Sequence, residues 1–374
     1  MGWSIKLGKI AGIKIQVHLT FFLILVWGAF NYGGSAGPLY GLLVTLALFT
    51  LVLLHELGHS LAALGYGIPV RDITLLPIGG VARLERMPDK PLHELVVAVA
   101  GPAVNVVLAL ILLPIVLGLA VAQGAPLSLS MGLRPGVLGL LTFLLSANVS
   151  LALFNLIPAF PLDGGRILRA SLGLFTDYRR ATQVAVALGR VLAIGLGLFG
   201  ILSGQFLLGF IALFIFTASG QEGQAAAARD LLRSVRVGET LPPHTAALSP
   251  YATVSQAASM AMGGHRPDFA VMDPDSRRLL GVVSWGDVTR AAGNGQWYRR
   301  MLDIMQPVQH VPSVSPNTTL AEVHDRLTDA SSRVAAVYEG PFFRGLISLD
   351  DVQRTLNFLS QGGSLMRRKA WMAS

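Results

Sequence analysis

The sequence predicts a multi-pass α-helical membrane protein with about six spans, a small β-hairpin after span two, and a cytosolic α/β module built from a tandem repeat. The composition is the first observation: the 374 residues are 52% hydrophobic and only 13% charged, whereas a soluble domain carries about a quarter charged residues. The second observation is a set of apolar runs long enough to cross a bilayer, which a signal peptide is not. The third is a polar, repetitive sequence after residue 220. We therefore expect the protein in the cell membrane.

Six apolar segments account for the predicted spans, and turn-forming residues separate them. They are residues 16–32, 39–64, 92–122, 136–156, 181–202 and 206–219. We expect the third segment to be interrupted at Gly101-Pro102 and again near Pro114, because proline removes a helix hydrogen bond. Residues 70–85 mix β-branched side chains with a Pro-Ile-Gly-Gly turn, which is typical of a short hairpin.

Basic residues are distributed unevenly between the loops. Lysine and arginine cluster before the first span, after the second and after the fourth, whereas the opposite loops offer only Arg134. The positive-inside rule then predicts that both termini, the hairpin, the loop at 158–180 and the C-terminal module are cytoplasmic. The same distribution explains the formal charge of +8, so we expect the lipid bilayer as a partner and no nucleic acid.

The most informative stretch is His55-Glu-Leu-Gly-His59, in the last third of the second span. On a helix, His55 and His59 share one face, so both imidazoles can bind one zinc ion while Glu56 serves as general base for its water. Alternatively, the histidines only cap a membrane helix. Ionisable side chains are costly in an apolar segment, however, and that cost favours a function. The motif begins about 24 Å along the helix and therefore within the membrane.

A zinc protease needs a third protein ligand. The chain has no cysteine, so this ligand must be Asp, Glu or His. Asp163 follows the fourth span, where Pro158 and Pro161 would break the helix and let the carboxylate turn inward. Asp163-Gly-Gly is equally consistent with a simple cytoplasmic turn, so the residues alone leave both interpretations open.

After a helical link at 221–234 the sequence repeats itself. The second copy repeats Ser249-Pro-Tyr-Ala-Thr-Val as Ser315-Pro-Asn-Thr-Thr-Leu, and Gly281-Val-Val-Ser-Trp-Gly-Asp as Gly345-Leu-Ile-Ser-Leu-Asp-Asp. Two elements that recur in the same order predict duplicated domains, each with a helix, strands and a turn that opens another helix. We place the domains at 1–220 for the membrane part, 235–300 and 301–362 for the two copies, and 363–374 for a basic tail.

Three motifs occur together in the membrane part. They are His55-Glu-Leu-Gly-His59, Asn155-x-x-Pro158 followed by Asp163-Gly164, and Gly101-Pro-Ala-Val-Asn105. In this combination the sequence resembles the site-2 protease family of intramembrane zinc metalloproteases. The resemblance implies one Zn²⁺ bound by His55, His59 and Asp163, with Glu56 as the catalytic residue. It also implies that Asn155 helps to hold the substrate. We group Asn105 with Asn155, and helix packing is the alternative for Asn105.

The turn Gly-x-x-Ser-x-x-Asp occurs once in each copy, with Ser284 and Asp287 in the first and Ser348 and Asp351 in the second. With this turn the repeat resembles a pair of CBS domains. The resemblance implies that the aspartates bind the ribose and the serines the phosphate of an adenine nucleotide, ATP or AMP, which would regulate the enzyme. Alternatively the pair only packs or forms a homodimer, and the aspartates stabilise helix N-termini.

These features predict a zinc-dependent intramembrane endopeptidase that cleaves a transmembrane segment of membrane protein substrates, as in regulated intramembrane proteolysis. One alternative is a CBS-regulated metal or ion transporter. It would need two related, inverted membrane halves, and the His-Glu-x-x-His motif has no second copy. The other alternative, a catalytically silent scaffold, would be signalled by an altered Glu56, and the glutamate is present.

Overall fold

The computed structural model describes residues 4–85, 88, 90–124, 135–241, 245–262, 268–276, 278–330 and 332–361. The chain divides into two compact units, Met1–Gln224 and Ala225–Ser374. The predicted basic tail and the loop cation Arg134 lie outside the described residues.

The first unit consists mainly of helices with the composition of membrane spans. Its helices are α1 (Phe21–Gly33), α2 (Pro38–Gly65), α3 (Pro91–Ala122), α4 (Val137–Asn155), α5 (Asp163–Gly173), α6 (Tyr178–Leu202) and α7 (Phe206–Arg233), the last of which crosses the division between the units. Among the described residues, α2, α3, α4, α6 and α7 are long and apolar enough to span a membrane. Large apolar side chains such as Leu110, Val191 and Phe210 are more than half exposed on these helices. The predicted class, a multi-pass helical membrane protein, is confirmed.

The first predicted span is wrong in its N-terminal part. Residues 16–18 belong to strand β2 (Ile13–His18), which pairs with β1 (Ser4–Ile10). The strand forms because buried apolar residues alternate with Lys14 and Gln16, as in a half-buried strand. The following helix α1 has 13 residues. At 1.5 Å per residue it is about 20 Å long, shorter than a hydrocarbon core of about 30 Å.

The predicted hairpin is present as β3 (Val70–Leu76) and β4 (Gly79–Leu84). It extends the N-terminal hairpin, because β3 pairs in parallel with β2. The resulting sheet has the order β1-β2-β3-β4 and leaves β4 at an edge. Ile15 and Ile73 on its buried face pack against Leu57 of α2. This packing fixes the sheet against the part of α2 that carries the histidines.

Helix α3 runs through both of its prolines, so the interruptions predicted at Gly101-Pro102 and Pro114 are wrong. Each proline removes one backbone hydrogen bond, but membrane helices tolerate this loss where neighbouring helices pack closely. Helices α2 and α3 pack in this way: a Cβ on Gly58 would lie 2.7 Å from the carbonyl oxygen of Ala100.

Two small sheets are formed by the described part of the second unit. The first has the order β5-β6-β7-β8, from β5 (Ala247–Leu248), β6 (Phe269–Met272), β7 (Leu279–Val283) and β8 (Gln306–Pro307). The second has the order β11-β10-β9, from β9 (Ser313–Val314), β10 (Val334–Glu339) and β11 (Phe342–Ser348). Apolar residues of the two sheets, including Ala270 and Leu346, form one buried cluster. The sheets therefore belong to a single folded pair.

Among its described residues, six further helices complete the second unit. They are α8 (Val237–Thr240), α9 (Val254–Met262), α10 (Trp285–Gly293), α11 (Met301–Ile304), α12 (Leu320–Asp329) and α13 (Leu349–Ser360). Each copy of the repeat has a short strand, a helix, two antiparallel strands and a second helix, in that order. The predicted α/β module is confirmed, with the short leading strand as an addition.

Candidate metal centre

Helix α2 and the start of α5 bring three metal-type donor atoms together. His55 and His59 lie one turn apart on α2, and Asp163 is the first residue of α5. The Nε2 atoms of the two histidines are 3.1 Å apart. Asp163 Oδ2 lies 3.2 Å from His55 Nε2 and 3.1 Å from His59 Nε2. The three donors that the sequence singled out therefore converge on one point.

Asp163 is positioned by a sharp turn of the chain after α4. A Cβ on Gly164 would lie 2.3 Å from the carbonyl oxygen of Ile157, and a Cβ on Gly165 would lie 2.6 Å from the amide nitrogen of Phe160. Only glycine fits at both positions without a shift of the backbone. The Asp-Gly-Gly sequence thus begins a helix that packs directly against the loop preceding it.

Helix α3 orients both imidazole rings. His59 Nδ1 lies 2.7 Å from the carbonyl oxygen of Val97, which can only accept a hydrogen bond, so this nitrogen carries a proton. His55 Nδ1 lies 3.1 Å from Asn105 Oδ1. Gly101 leaves room for the His59 ring, since a Cβ there would lie 2.1 Å from Nε2. With Nδ1 protonated, each neutral ring directs the lone pair of Nε2 to the common point, as in metal-binding histidines.

The donor set fits a zinc ion. Bonds of about 2.0–2.1 Å in a tetrahedron place neighbouring donors about 3.3 Å apart, close to the separations of 3.1 and 3.2 Å found here. An aspartate carboxyl group is ordinarily ionised at neutral pH, as a metal ligand must be. Two imidazoles and one carboxylate form a ligand set typical of catalytic zinc.

The side chain of Glu56 lies between its own helix, α2, and the edge strand β4. Its Oε2 accepts a hydrogen bond of 3.2 Å from the amide nitrogen of Ala82. A Cβ on Gly80 would lie 2.6 Å from the Glu56 Cγ, so the strand passes closely over this side chain. The Glu56 carboxylate is thus held by the backbone of β4.

The two asparagines predicted for the site have different surroundings. Asn155 ends α4, and its side-chain nitrogen donates to the Leu151 carbonyl oxygen of the same helix at 3.0 Å. Asn105 is fully buried and contacts His55. Sequence reasoning missed the contacts of Val97 and Gly101 with His59. A signal existed, because Gly101 and Asn105 repeat on α3 the four-residue spacing of the histidines on α2.

The four residues predicted to bind nucleotide form two capping boxes. In each, a serine side chain accepts from the aspartate backbone nitrogen, while the aspartate side chain accepts from the serine backbone nitrogen. Ser284 and Asp287 cap α10 in this way, and Ser348 and Asp351 cap α13. Stabilisation of helix N-termini, the alternative given above, accounts for these contacts.

Comparisons with known proteins identify relatives of both parts of the chain. The model of peptidase family M50 matches residues 43–134 and 118–196, and that of the CBS domain matches residues 302–357. A zinc metalloprotease of Methanocaldococcus jannaschii is 31% identical over 362 residues, which cover 96% of this chain and 98% of the relative. Stage IV sporulation protein FB of Bacillus subtilis is 32% identical over 157 residues, 42% of this chain and 46% of that protein. The solved site-2 protease from Methanocaldococcus jannaschii is 38% identical, covers 59% of this chain and 95% of its own, and gives a TM-score of 0.43.

Proposed function

Because this chain belongs to peptidase family M50, the site-2 protease family of zinc metalloproteases, we propose that it cleaves a transmembrane segment of membrane protein substrates. The observation that carries the proposal is that the Asp163 carboxylate meets the donor atoms of His55 and His59 beside α2, a helix long and apolar enough to cross the membrane. A hydrolytic site at that depth acts on peptide bonds inside the bilayer, and regulated intramembrane proteolysis is the process that such cleavage serves.

In this proposal His55, His59 and Asp163 hold one zinc ion. Bound there, the ion would lower the pKa of a water molecule and polarise the scissile carbonyl group. Glu56 accepts the proton of the attacking water and returns it to the leaving amine nitrogen. The hydrogen bond from the Ala82 amide nitrogen to Glu56 Oε2 orients this carboxylate.

Strand β4 offers an edge to an extended substrate. It is one of the two outer strands of its sheet, and the Ala82 amide nitrogen donates to the proposed general base. A segment that pairs along this edge passes beside Glu56, as in β-strand addition. A transmembrane helix hides its peptide bonds in its own hydrogen bonds, so the substrate must unwind, and helix-breaking residues lower that cost. We assign Asn155, at the end of α4, to holding the unwound segment; Asn105 acts by orienting His55.

The charge distribution supports an orientation with both termini and the C-terminal unit in the cytoplasm. Three lysines, Lys6, Lys9 and Lys14, are exposed on the N-terminal hairpin, and Arg71 is exposed on β3. Exposed cations on this sheet would be attracted to the anionic lipid headgroups of the cytoplasmic leaflet. The partners in this proposal are the bilayer and a transmembrane protein substrate.

We further propose that the C-terminal CBS pair regulates cleavage by binding an adenine nucleotide, ATP or AMP. The described His, Cys, Asp and Glu residues that cluster as a metal site all precede residue 170, so the pair adds no ligand to it. Apolar residues of both copies pack in one cluster, so the copies meet within the pair. Asp287 and Asp351 would face clefts between the copies and contact the ribose there. Homodimerisation through the pair is the second role to be tested.

Cleavage of a membrane-embedded reporter by the purified full-length protein tests the proposal. We expect a single-span reporter in lipid vesicles to be cut within its hydrophobic segment, as located by mass spectrometry of the products. A chelator should abolish cleavage, and added Zn²⁺ should restore it. A matched reporter with Leu in place of its helix-breaking Gly or Pro should be cut more slowly. Cuts confined to the soluble flanks, or cleavage indifferent to the chelator, would contradict the proposal.

A further inference from the structure

A buried cluster around Arg169 has no part in the roles assigned above. Arg169 lies on α5, six residues after Asp163, and is 3% exposed. Its Nε donates to Glu94 Oε1 at 2.9 Å, its Nη2 donates to the same oxygen, and its Nη1 donates to Glu222 Oε1. Tyr178 donates its hydroxyl to Glu94 Oε2 at 3.0 Å. We call Arg169, Glu94, Glu222 and Tyr178 the Arg169 cluster.

The Arg169 cluster joins the two helices that set the geometry of the metal ligands. Glu94 lies in the first turn of α3, the helix whose Val97 and Asn105 orient the two imidazole rings. Arg169 lies on α5, the helix that Asp163 begins. The buried ion pair between Arg169 and Glu94 therefore links α5, which carries Asp163, to α3, which orients the histidines.

Helix α7 contacts the same parts of the structure. Its Glu222 pairs with Arg169, and its fully buried Ser219 donates to the carbonyl oxygen of Phe160 at 2.9 Å. The guanidinium carbon of Arg169 lies 4.9 Å from the centroid of the Phe160 ring. Because Phe160 belongs to the loop just before Asp163, α7 contacts both the loop and the helix that flank this ligand.

The chemistry of the cluster suits positioning better than simple filling of space. Removing an arginine and two carboxylates from water is costly, so such a group is a weak source of stability. A guanidinium has a planar set of donors with fixed directions, which restrains its partners in orientation as well as distance. Metal centres need such restraint, since ligand distances must be correct within about 0.2 Å.

We propose that Glu222, acting through Arg169, is a positioning residue that sets the place of Asp163 in the metal centre. The inference rests on the proposed function, because it takes Asp163 as a metal ligand. Helix α7 continues beyond Glu222 to Arg233. A displacement of α7 is therefore transmitted through Arg169 to α5 and changes the strength of metal binding.

The test measures the zinc affinity of the purified full-length protein by competition with a chelator. Glu222→Gln removes one charge while Glu94 still pairs with Arg169, so the protein keeps its fold, which thermal unfolding verifies. We expect zinc to bind about 10- to 100-fold more weakly, and Glu222→Asp to restore part of the affinity. Gln221→Ala, an exposed neighbour on α7, is the matched control and should bind zinc like the parent.

A second pair of variants shows whether Glu222 acts through Asp163. In an Asp163→Ala background, Glu222→Gln should cause no further loss of the residual affinity of the two histidines. The inference is overturned if folded Glu222→Gln binds zinc like the parent, or if its effect is equally large without Asp163. The proposed function fails in a different way: Asp163→Ala alone would then retain full zinc.

Discussion

Aspartate stands at the start of a helix in both units of the chain, but its carboxylate is used in opposite ways. In the C-terminal unit, Asp287 and Asp351 turn back to the backbone nitrogens of their own N-cap serines. In the membrane unit, Asp163 opens α5, a helix without a side-chain cap, and its Oδ2 turns to His55 and His59 instead. The capping aspartates satisfy backbone donors of their own helices. Asp163 instead places its oxygen against the nitrogen atoms of two histidines.

The comparison shows how two motifs of similar appearance differ in chemistry. A capping box satisfies polar groups locally and needs nothing further to be stable. Three donors at 3.1 to 3.2 Å place lone pairs and negative charge close together, an arrangement that a bound cation stabilises. Tracing where each polar atom finds its partner therefore separates a binding centre from a structural turn.

The largest expected effect comes from Asp163→Ala. With only two imidazoles left, the zinc content of the protein as purified should fall far below one ion per chain, leaving only the weak affinity of the two histidines, and cleavage should become undetectable. Asp177→Ala is the matched control, because this exposed aspartate precedes α6 without a side-chain cap bond. Full zinc and normal turnover in Asp163→Ala would show that Asp163 is not a metal ligand and does not differ in this respect from the capping aspartates.

Nucleotide addition tests whether the C-terminal motifs do more than cap helices. An effector that binds one state of the enzyme more tightly changes its activity by about 5- to 150-fold, which corresponds to about 1–3 kcal/mol. We expect ATP or AMP to change the rate of reporter cleavage by the full-length protein within this range. If neither nucleotide binds or alters cleavage, Ser284, Asp287, Ser348 and Asp351 act as caps alone.

The pH dependence of the second unit is expected to depend on Asp268. Burial, opposed by a hydrogen bond from the Trp285 backbone and reinforced by Asp351 and Asp350, raises the pKa of Asp268 to about 6. The folded state then binds a proton more tightly than the unfolded state, so stability should increase as the pH falls through 6 towards 4. The gain is on the order of 1–3 kcal/mol. Hydrogen exchange of β6 and β7 in the full-length protein measures it.

Asp268→Asn should remove the pH dependence of stability and slow hydrogen exchange in β6 at neutral pH. An equal pH response in the variant would show that another group is responsible.

A smaller effect is expected from loss of a capping serine. Ser348→Ala should lower the free energy of unfolding of the second unit by about 1 kcal/mol, because the backbone nitrogen of Asp351 loses its acceptor. Zinc content should not change. Ser360→Ala, at the exposed end of α13, controls for the loss of a hydroxyl. A change in zinc binding in Ser348→Ala would break the separation between capping and metal binding.

Local signals predicted much of the fold and of the metal centre. The His55–His59 spacing and the composition specify a helix and a membrane setting, and both are confirmed. The N-terminal strands were missed although Lys14 and Gln16 alternate with buried residues, because the same stretch leads into an apolar segment. The continuity of α3 was missed because tolerance of Pro102 depends on the close approach of α2.

Contacts between distant parts of the chain could not be predicted in the same way. Arg169 is 75 residues from Glu94 and 53 from Glu222, and no local pattern links them. The role of Val97 was also beyond prediction, because it acts through a backbone carbonyl that any residue carries. Such contacts follow from the packing of helices, which depends on the whole chain.

The most direct test of the metal centre is a paired measurement on Glu56→Gln. The amide keeps the shape of the side chain but cannot accept the proton of the attacking water. Because His55, His59 and Asp163 are unchanged, the variant should bind one zinc per chain while cleaving no reporter. Glu85→Gln, an exposed glutamate just after β4, makes the same change of charge and should retain both zinc and activity. Zinc lost together with activity in Glu56→Gln would make Glu56 a ligand, and cleavage at the parental rate would remove it from the reaction; either result would contradict the account.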